Sequence, residues 1–141
     1  MSWIYWTDEY RVGDERIDRD HKALFEHINA FYDAFQESRR RRDLLAILNH
    51  LVSYAEDHFQ REEEIMAVHH YPDLESHRQL HEQLYDTIYA LNERLQNDPR
   101  PLEREAIAFL KNWLGDHILH YDLAFAEFVK RKDPSKPAAG A

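Results

Sequence analysis

The sequence predicts an all-α protein, an up-down-up-down antiparallel four-helix bundle preceded by an N-terminal aromatic arm. Three observations carry this. Four segments repeat apolar residues at spacings of three and four, the period of one helix face. The breaks between them are short, and short connections make consecutive helices antiparallel neighbours. Only three glycines occur in 141 residues, and four of the five prolines sit in two clusters, Pro99 with Pro101 and Pro134 with Pro137, so long stretches run without strong helix breakers.

Residues 1–16 form the arm, in which Trp3, Ile4, Tyr5 and Trp6 are expected to pack over the bundle and Gly13 to mark a turn. The first helical seam runs Ile17, His21, Leu24, Ile28, Phe31 and Phe35. Arg39 to Asp43 follows, and the run of four arginines reads as a solvated loop rather than a phosphate site. The second seam is Leu44, Leu48, Leu51, Ala55, His58, Glu62 and Ile65, ended by His69-His70-Tyr71-Pro72-Asp73. The third is Leu74, His77, His81, Leu84, Ile88, Leu91 and Leu95, ended by Asn97-Asp98-Pro99-Arg100-Pro101. Proline with Asp or Asn in these breaks stops one helix and caps the next. The fourth is Ala106, Leu110, Trp113, His117, Tyr121, Phe125 and Phe128. Residues 1–132 are read as one domain and 133–141 as a disordered tail.

The formal charge of -9 argues against nucleic-acid binding, which needs a concentrated basic surface. No cysteine is present, so disulfides, thiolate metal sites and thiol nucleophiles are excluded together. Any metal must use nitrogen and oxygen donors. No segment approaches the length of an apolar membrane span, and the N-terminus lacks the pattern of a secretory signal, so the cytoplasm is the expected compartment.

Each seam places histidine, or histidine with a carboxylate, where a core helix should be apolar, and an unpaired buried polar group costs a few kcal/mol. Hairpin symmetry shows what these residues share. The midpoint of His21 and His58 falls in the arginine run, and the midpoints of His58 with His81 and of Glu62 with His77 both fall between His69 and His70. Those of His81 with His117 and of His77 with Asp122 fall at Pro99 and just beyond it. Residues equidistant from a turn stand at one height in an antiparallel bundle, so the set converges on one slab. Asp122 fits less well. Five residues of regular helix turn through about 500°, which points it about 140° away from His117. Either ligands reach the cluster from both flanks of the helix or a π-bulge widens the turn. On spacing alone Tyr121 holds the seam position, where a buried hydroxyl would face the cluster.

Five imidazoles and two carboxylates form a nitrogen and oxygen donor set suited to iron or manganese, and larger than one zinc ion needs. The other histidines, His27, His50, His69, His70 and His120, fall off the seams or outside this level and are expected to be non-ligands.

The motif pieces are Val12-Gly13 followed by Ile17-Asp18-Arg19-Asp20-His21, then His58-Phe59-Gln60-Arg61-Glu62-Glu63, His77 with His81, and Trp113-Leu114-Gly115-Asp116-His117-Ile118 ending at Asp122. In this order, from about residue 3 to 131, they resemble the hemerythrin family, specifically its single-domain bacterial members. The resemblance implies a non-heme centre of two iron ions, with His77, His81 and His117 on one and His21 and His58 on the other. Glu62 and Asp122 would bridge them with an oxo or hydroxo group. It is also the resemblance that supports Asp122. Phe59, Trp113, Leu114 and Ile118 would line the oxygen pocket. The implied activity is reversible dioxygen binding for carriage, storage or delivery rather than enzymatic turnover, with an oxygen-consuming enzyme or a reductase as a possible partner. The alternatives on the same ligands are a di-iron redox enzyme, such as a peroxidase or nitric-oxide reductase, and an oxygen or redox sensor. A ferritin-like oxidase would need Glu-x-x-His pairs, and no histidine here has glutamate three residues before it. One departure stands out: relatives often carry glutamine before the first ligand histidine, where this chain has Asp20, which is expected to alter the surroundings of His21.

Overall fold

The computed structural model describes residues 4–100 and 104–132. Helix α1 spans Glu15–Gln36, α2 Arg41–Val68, α3 Leu74–Asn97 and α4 Arg104–His117. A π-helical turn, Ile118–Asp122, carries α4 into α5, Leu123–Lys132, and the backbone stays helical at both flanking residues, so these three pieces form one continuous fourth rod. Each of α1 and α3 lies against α2 and against α4. Side-chain contacts fix the directions. Asp20 meets Arg61 while His27 meets Tyr54, so α1 and α2 are antiparallel. Arg41 reaches Leu95, and His81 meets Glu63, so α2 and α3 are antiparallel as well. His77 meets Asp122 and the ring of His81 lies by that of His117, which sets the fourth rod against α3.

The helix ends follow from local chemistry. Asp14 opens α1, its Oδ1 accepting from the backbone N–H of Arg16 at 2.9 Å and of Ile17 at 3.3 Å. Both described interhelical turns use the left-handed stop at a residue other than glycine. Ser38 (φ 54°) closes α1 with Ser38 N donating to Phe35 O and Arg39 N to Ala34 O. His70 (φ 56°) closes α2 in the same way, with His70 N donating to Ala67 O and Tyr71 N to Met66 O.

The arginine run differs from the expected loop. Arg41 and Arg42 are already helical, and only the residues between Gln36 and Arg41 connect α1 to α2. Arg41 is not merely solvated: its guanidinium donates to the carbonyls of Arg94 (3.2 Å), Leu95 (2.8 Å) and Arg100 (2.9 Å). The last carbonyls of a helix have no partner within it, and the negative end of its dipole draws a cation there, so Arg41 caps α3 from the neighbouring helix.

The arm is half as expected. Ile4 is buried, and its backbone exchanges two 2.8 Å hydrogen bonds with the side chain of Asn29. Trp6 and Tyr10 set their rings against Phe25. Tyr5, between Ile4 and Trp6, instead points to solvent, 62% exposed. Val12 N and Gly13 N donate to Asp18, which ties the arm to the first turns of α1, and Gly13 takes the positive φ (93°) that the bend requires. Trp3 and the tail at 133–141 lie outside the described residues, as do Pro101 and the side chain of Ala106.

The apolar interior is divided in two. A large cluster, including Leu24, Phe31, Leu48, Leu51, Ile88, Leu95 and Leu110, fills the length toward the α1–α2 turn. A smaller one, Val12, Ile17, Ile65, Met66, Tyr71 and Phe125, closes the end at the α2–α3 turn. The polar side chains of the next section lie between them along the helices.

Candidate metal centre

All seven side chains singled out from the sequence are buried: His21, His58, Glu62, His77, His81, His117 and Asp122 are each 5% exposed or less. Each helix delivers its share by the i, i+4 spacing that stacks two side chains on one face, His58 with Glu62 on α2 and His77 with His81 on α3. The fourth rod uses the π turn. One added residue per turn sets the following residues back by about 100°, so Asp122 takes the inward position that a regular helix would give Tyr121. Asp122 is 1% exposed, and Tyr121 is 44% exposed. The expected buried hydroxyl at Tyr121 is therefore absent from the cluster.

The two carboxylates sort the histidines into two sets. Glu62 Oε1 lies 2.6 Å from His77 Nε2 and 3.2 Å from His81 Nε2, whereas Oε2 lies 3.1 Å from His58 Nε2 and 3.3 Å from His21 Nε2. Asp122 repeats the division: Oδ1 is 3.1 Å from His77 Nε2 and 3.3 Å from His117 Nε2, and Oδ2 is 3.0 Å from His21 Nε2. One donor group is thus Glu62, His77, His81, His117 and Asp122, and another is His21, His58 and Glu62.

Most of this proximity is not hydrogen bonding. His77 Nε2 pairs with Glu62 Oε1 at 2.6 Å, but the Nε2 atoms of His21, His81 and His117, Glu62 Oε2 and both oxygens of Asp122 are buried without a well-directed hydrogen-bond partner among the described residues. A buried polar network of that kind is unfavourable unless something else accepts its lone pairs. Imidazole nitrogens and carboxylate oxygens brought together in this way fit a metal of borderline hardness. Without metal, burial opposes charge on His21 and His77, yet Asp122 and Glu62 carry them up to about 10 and about 9. The same pairing outweighs desolvation at Glu62 and Asp122 and holds both carboxyls below the usual carboxylate range.

The profile of the hemerythrin HHE cation binding domain matches residues 12–129. The chain belongs to the hemerythrin family. The bacteriohemerythrin of Stenotrophomonas maltophilia (strain R551-3) is 30% identical over 130 residues, 92% of this chain and 84% of its own length. The myohemerythrin of Theromyzon tessulatum is 32% identical over 120 residues, 85% of this chain and 88% of its own. The crystal structure of wild-type hemerythrin superposes with a TM-score of 0.81 at 23% identity, covering 89% of this chain and 97% of that one, and a leucine-to-alanine variant with 0.82. Both share the bundle fold.

Within this hemerythrin chain, the residues flanking the cluster were read less well from sequence. Asp20 does not partner its neighbour His21. Successive residues lie about 100° apart on a helix, so Asp20 faces α2 and places Oδ2 3.1 Å from His58 Nδ1. Glu63, Arg61, Arg78 and Tyr54 were not singled out. Glu63 Oε2 lies 2.8 Å from His81 Nδ1 and is held by Arg78 at 3.1 Å. For Glu63 and Arg61 the signal lay in the motif, where they flank Glu62: Glu63 reaches the outward nitrogen of His81 and Arg61 reaches Asp20 behind His58, whereas Arg78 and Tyr54 lie outside it. Of the remaining histidines, none joins a donor group among the described residues, and His50, His70 and His120 are exposed.

Phe59, Trp113, Leu114 and Ile118 are all buried beside the centre. Phe59 stacks on His81 with ring centroids 4.2 Å apart and meets the edge of Trp113 at 6.2 Å. Among the described residues no helix is long and apolar enough to cross a membrane.

Proposed function

We propose that residues 1–132 form a single oxygen-binding domain that holds two iron ions and takes up dioxygen reversibly, for carriage, storage or delivery. The observation that carries the reading is the division of each carboxylate between two sets of histidines. His77, His81 and His117 would hold one ion and His21 and His58 the other. Glu62 and Asp122 would serve both, with an oxo or hydroxo group from solvent. The second set has one imidazole fewer, so it is the end at which dioxygen would bind. Bound there, ferrous iron supplies the electrons that reversible uptake of dioxygen draws on. Titration of the reduced protein with oxygen, in the absence of any donor, tests the reading: two irons per chain and a full spectral return on deoxygenation are expected.

The chain's own residues favour retention over turnover. Phe59, Trp113, Leu114 and Ile118 exclude water from the flank of the centre, and they carry no group able to give or take a proton except the indole N–H. Tyr121, the one nearby hydroxyl that the spacing pointed to, faces solvent. Steady consumption of oxygen or peroxide with an added electron donor would replace this reading with a redox enzyme. Under the oxygen-binding reading the partners are dioxygen itself and an oxygen-consuming enzyme or reductase in the cytoplasm.

A further inference from the structure

Two carboxylates stand behind the imidazoles rather than among the candidate ligands. Asp20, 4% exposed, faces His58 Nδ1, the ring nitrogen turned away from Glu62. Glu63 faces His81 Nδ1 in the same way, but its side chain is 18% exposed. His21, the other imidazole of the two-histidine set, has a buried Nδ1 with no hydrogen-bond partner among the described residues. Among those residues the outer support at that end therefore falls on His58. Asp20 is itself held by three hydrogen bonds from two side chains: Arg61 Nε donates to Oδ2 at 2.8 Å, Arg61 Nη2 to Oδ1 at 3.1 Å, and the Tyr54 hydroxyl to Oδ1 at 3.1 Å.

A neutral imidazole carries one proton, and the nitrogen that donates a hydrogen bond leaves the other free as a ligand. An anionic acceptor also raises the basicity of the ring it holds, in proportion to how little solvent screens it. The charge of Asp20 is enclosed, whereas the side chain of Arg61 is 41% exposed and its charge is the better screened of the two.

We propose that Asp20 is a positioning residue for the two-histidine end: it locks His58 with Nε2 toward the metal and, as a buried anion, makes His58 the stronger donor that favours ferric over ferrous iron there. The inference rests on the di-iron reading above. It gives the two ends of the centre unequal outer charge, with the more shielded anion behind the end that has fewer imidazoles.

The test uses the full chain loaded with iron, and reads iron per chain, retention against a ferrous chelator, and the midpoint potential by spectroelectrochemical titration. Asp20→Asn keeps an acceptor oxygen and removes the charge. It should still take up two irons, with a ferric-to-ferrous preference about tenfold weaker, which is a rise of about 59 mV for a one-electron couple. Arg61→Gln leaves the anion less compensated, so the potential should fall. Opposite signs are what a merely structural role cannot produce, since loss of packing would move both variants together and release iron. An unchanged potential in Asp20→Asn, or a shift of the same sign in both variants, overturns the proposal. If Asp20→Asn does not fold, the sign in Arg61→Gln decides alone. A wild-type chain that holds fewer than two irons overturns the di-iron reading itself, and this inference with it.

Discussion

Glu62→Ala should empty the centre more completely than the loss of any one histidine, because Glu62, like Asp122, touches both sets, and it reaches four imidazoles where Asp122 reaches three. Its two oxygens lie within 3.3 Å of four imidazoles, two on each side, and its side chain is fully buried. Two effects add. In the metal-free protein, removing one member of a buried charged network costs about 3–5 kcal/mol. At about 3 °C per kcal/mol for a chain of this length, that is a fall of roughly 10–15 °C in Tm. In the loaded protein the variant also loses the stabilisation that metal binding adds, about 4 kcal/mol at a thousandfold excess of free metal over Kd. The assay is iron per chain by elemental analysis, with thermal melts before and after iron is added. Glu62→Ala should show little iron and no iron-dependent rise in Tm. His81→Ala, which touches one set, should fall well below two irons, and His120→Ala, exposed and outside the cluster, should stay near two. Two irons in Glu62→Ala with an undiminished rise in Tm would refute the reasoning.

Three further outcomes are expected. Leu114→Ala, which opens space beside His117 and touches no ligand, should keep two irons and still bind oxygen, but the oxygenated form should decay faster to the ferric state after mixing with air; an unchanged decay makes Leu114 ordinary core packing. In the metal-free protein, His21 and His77 have folded values raised above 6.5, so their contribution is fully present below pH 6.5 and is lost as pH rises through about 9 to 10. Glu62, whose folded value is depressed, contributes above about pH 4.5 and loses that contribution as pH falls further. Urea unfolding of the metal-free chain should therefore give greater stability at pH 6 than at pH 9.5, and the reverse order would sink this account. Ser38→Gly relieves a left-handed backbone at φ 54° and should stabilise the fold by about 1 kcal/mol in the same unfolding assay; a loss of stability would show that the Ser38 side chain matters more than its backbone.

The helices were legible because a period of three and four residues needs only one apolar face, and the two described turns lie where the pattern breaks. The common height of the polar residues was legible too, since the same height is counted from each turn. What sequence could not decide was rotation. The spacing from His117 to Asp122 left a π turn as one of two possibilities, because the backbone choice between four-residue and five-residue hydrogen bonding depends on what the next side chain must reach. The misplaced partner of Asp20 has the same origin. Adjacency along the chain suggested His21, but on a helix a neighbour in sequence faces a different neighbour in space. Arg41 was misread for a third reason: a charge run looks solvated until the free carbonyls of another helix, 53 and 54 residues away, are placed beside it.

The π turn also changes what kind of alteration the fourth rod tolerates. Between Ile118 and Asp122 the register of the centre is stored as a number of residues rather than as their identities, because the π turn absorbs one residue more than a regular turn and so brings Asp122, five residues after His117, inward. Conservative replacement of the outward residues Leu119, His120 and Tyr121, all exposed, leaves that count intact. Loss of any one of them would let the turn revert to a regular α-helix, with Asp122 still inward four residues after His117, whereas gain of one more residue would turn Asp122 and Phe125 about 100° away from their places. A family pattern written as residue types with free spacing would pass a chain with that insertion as complete, although the centre it describes could not assemble.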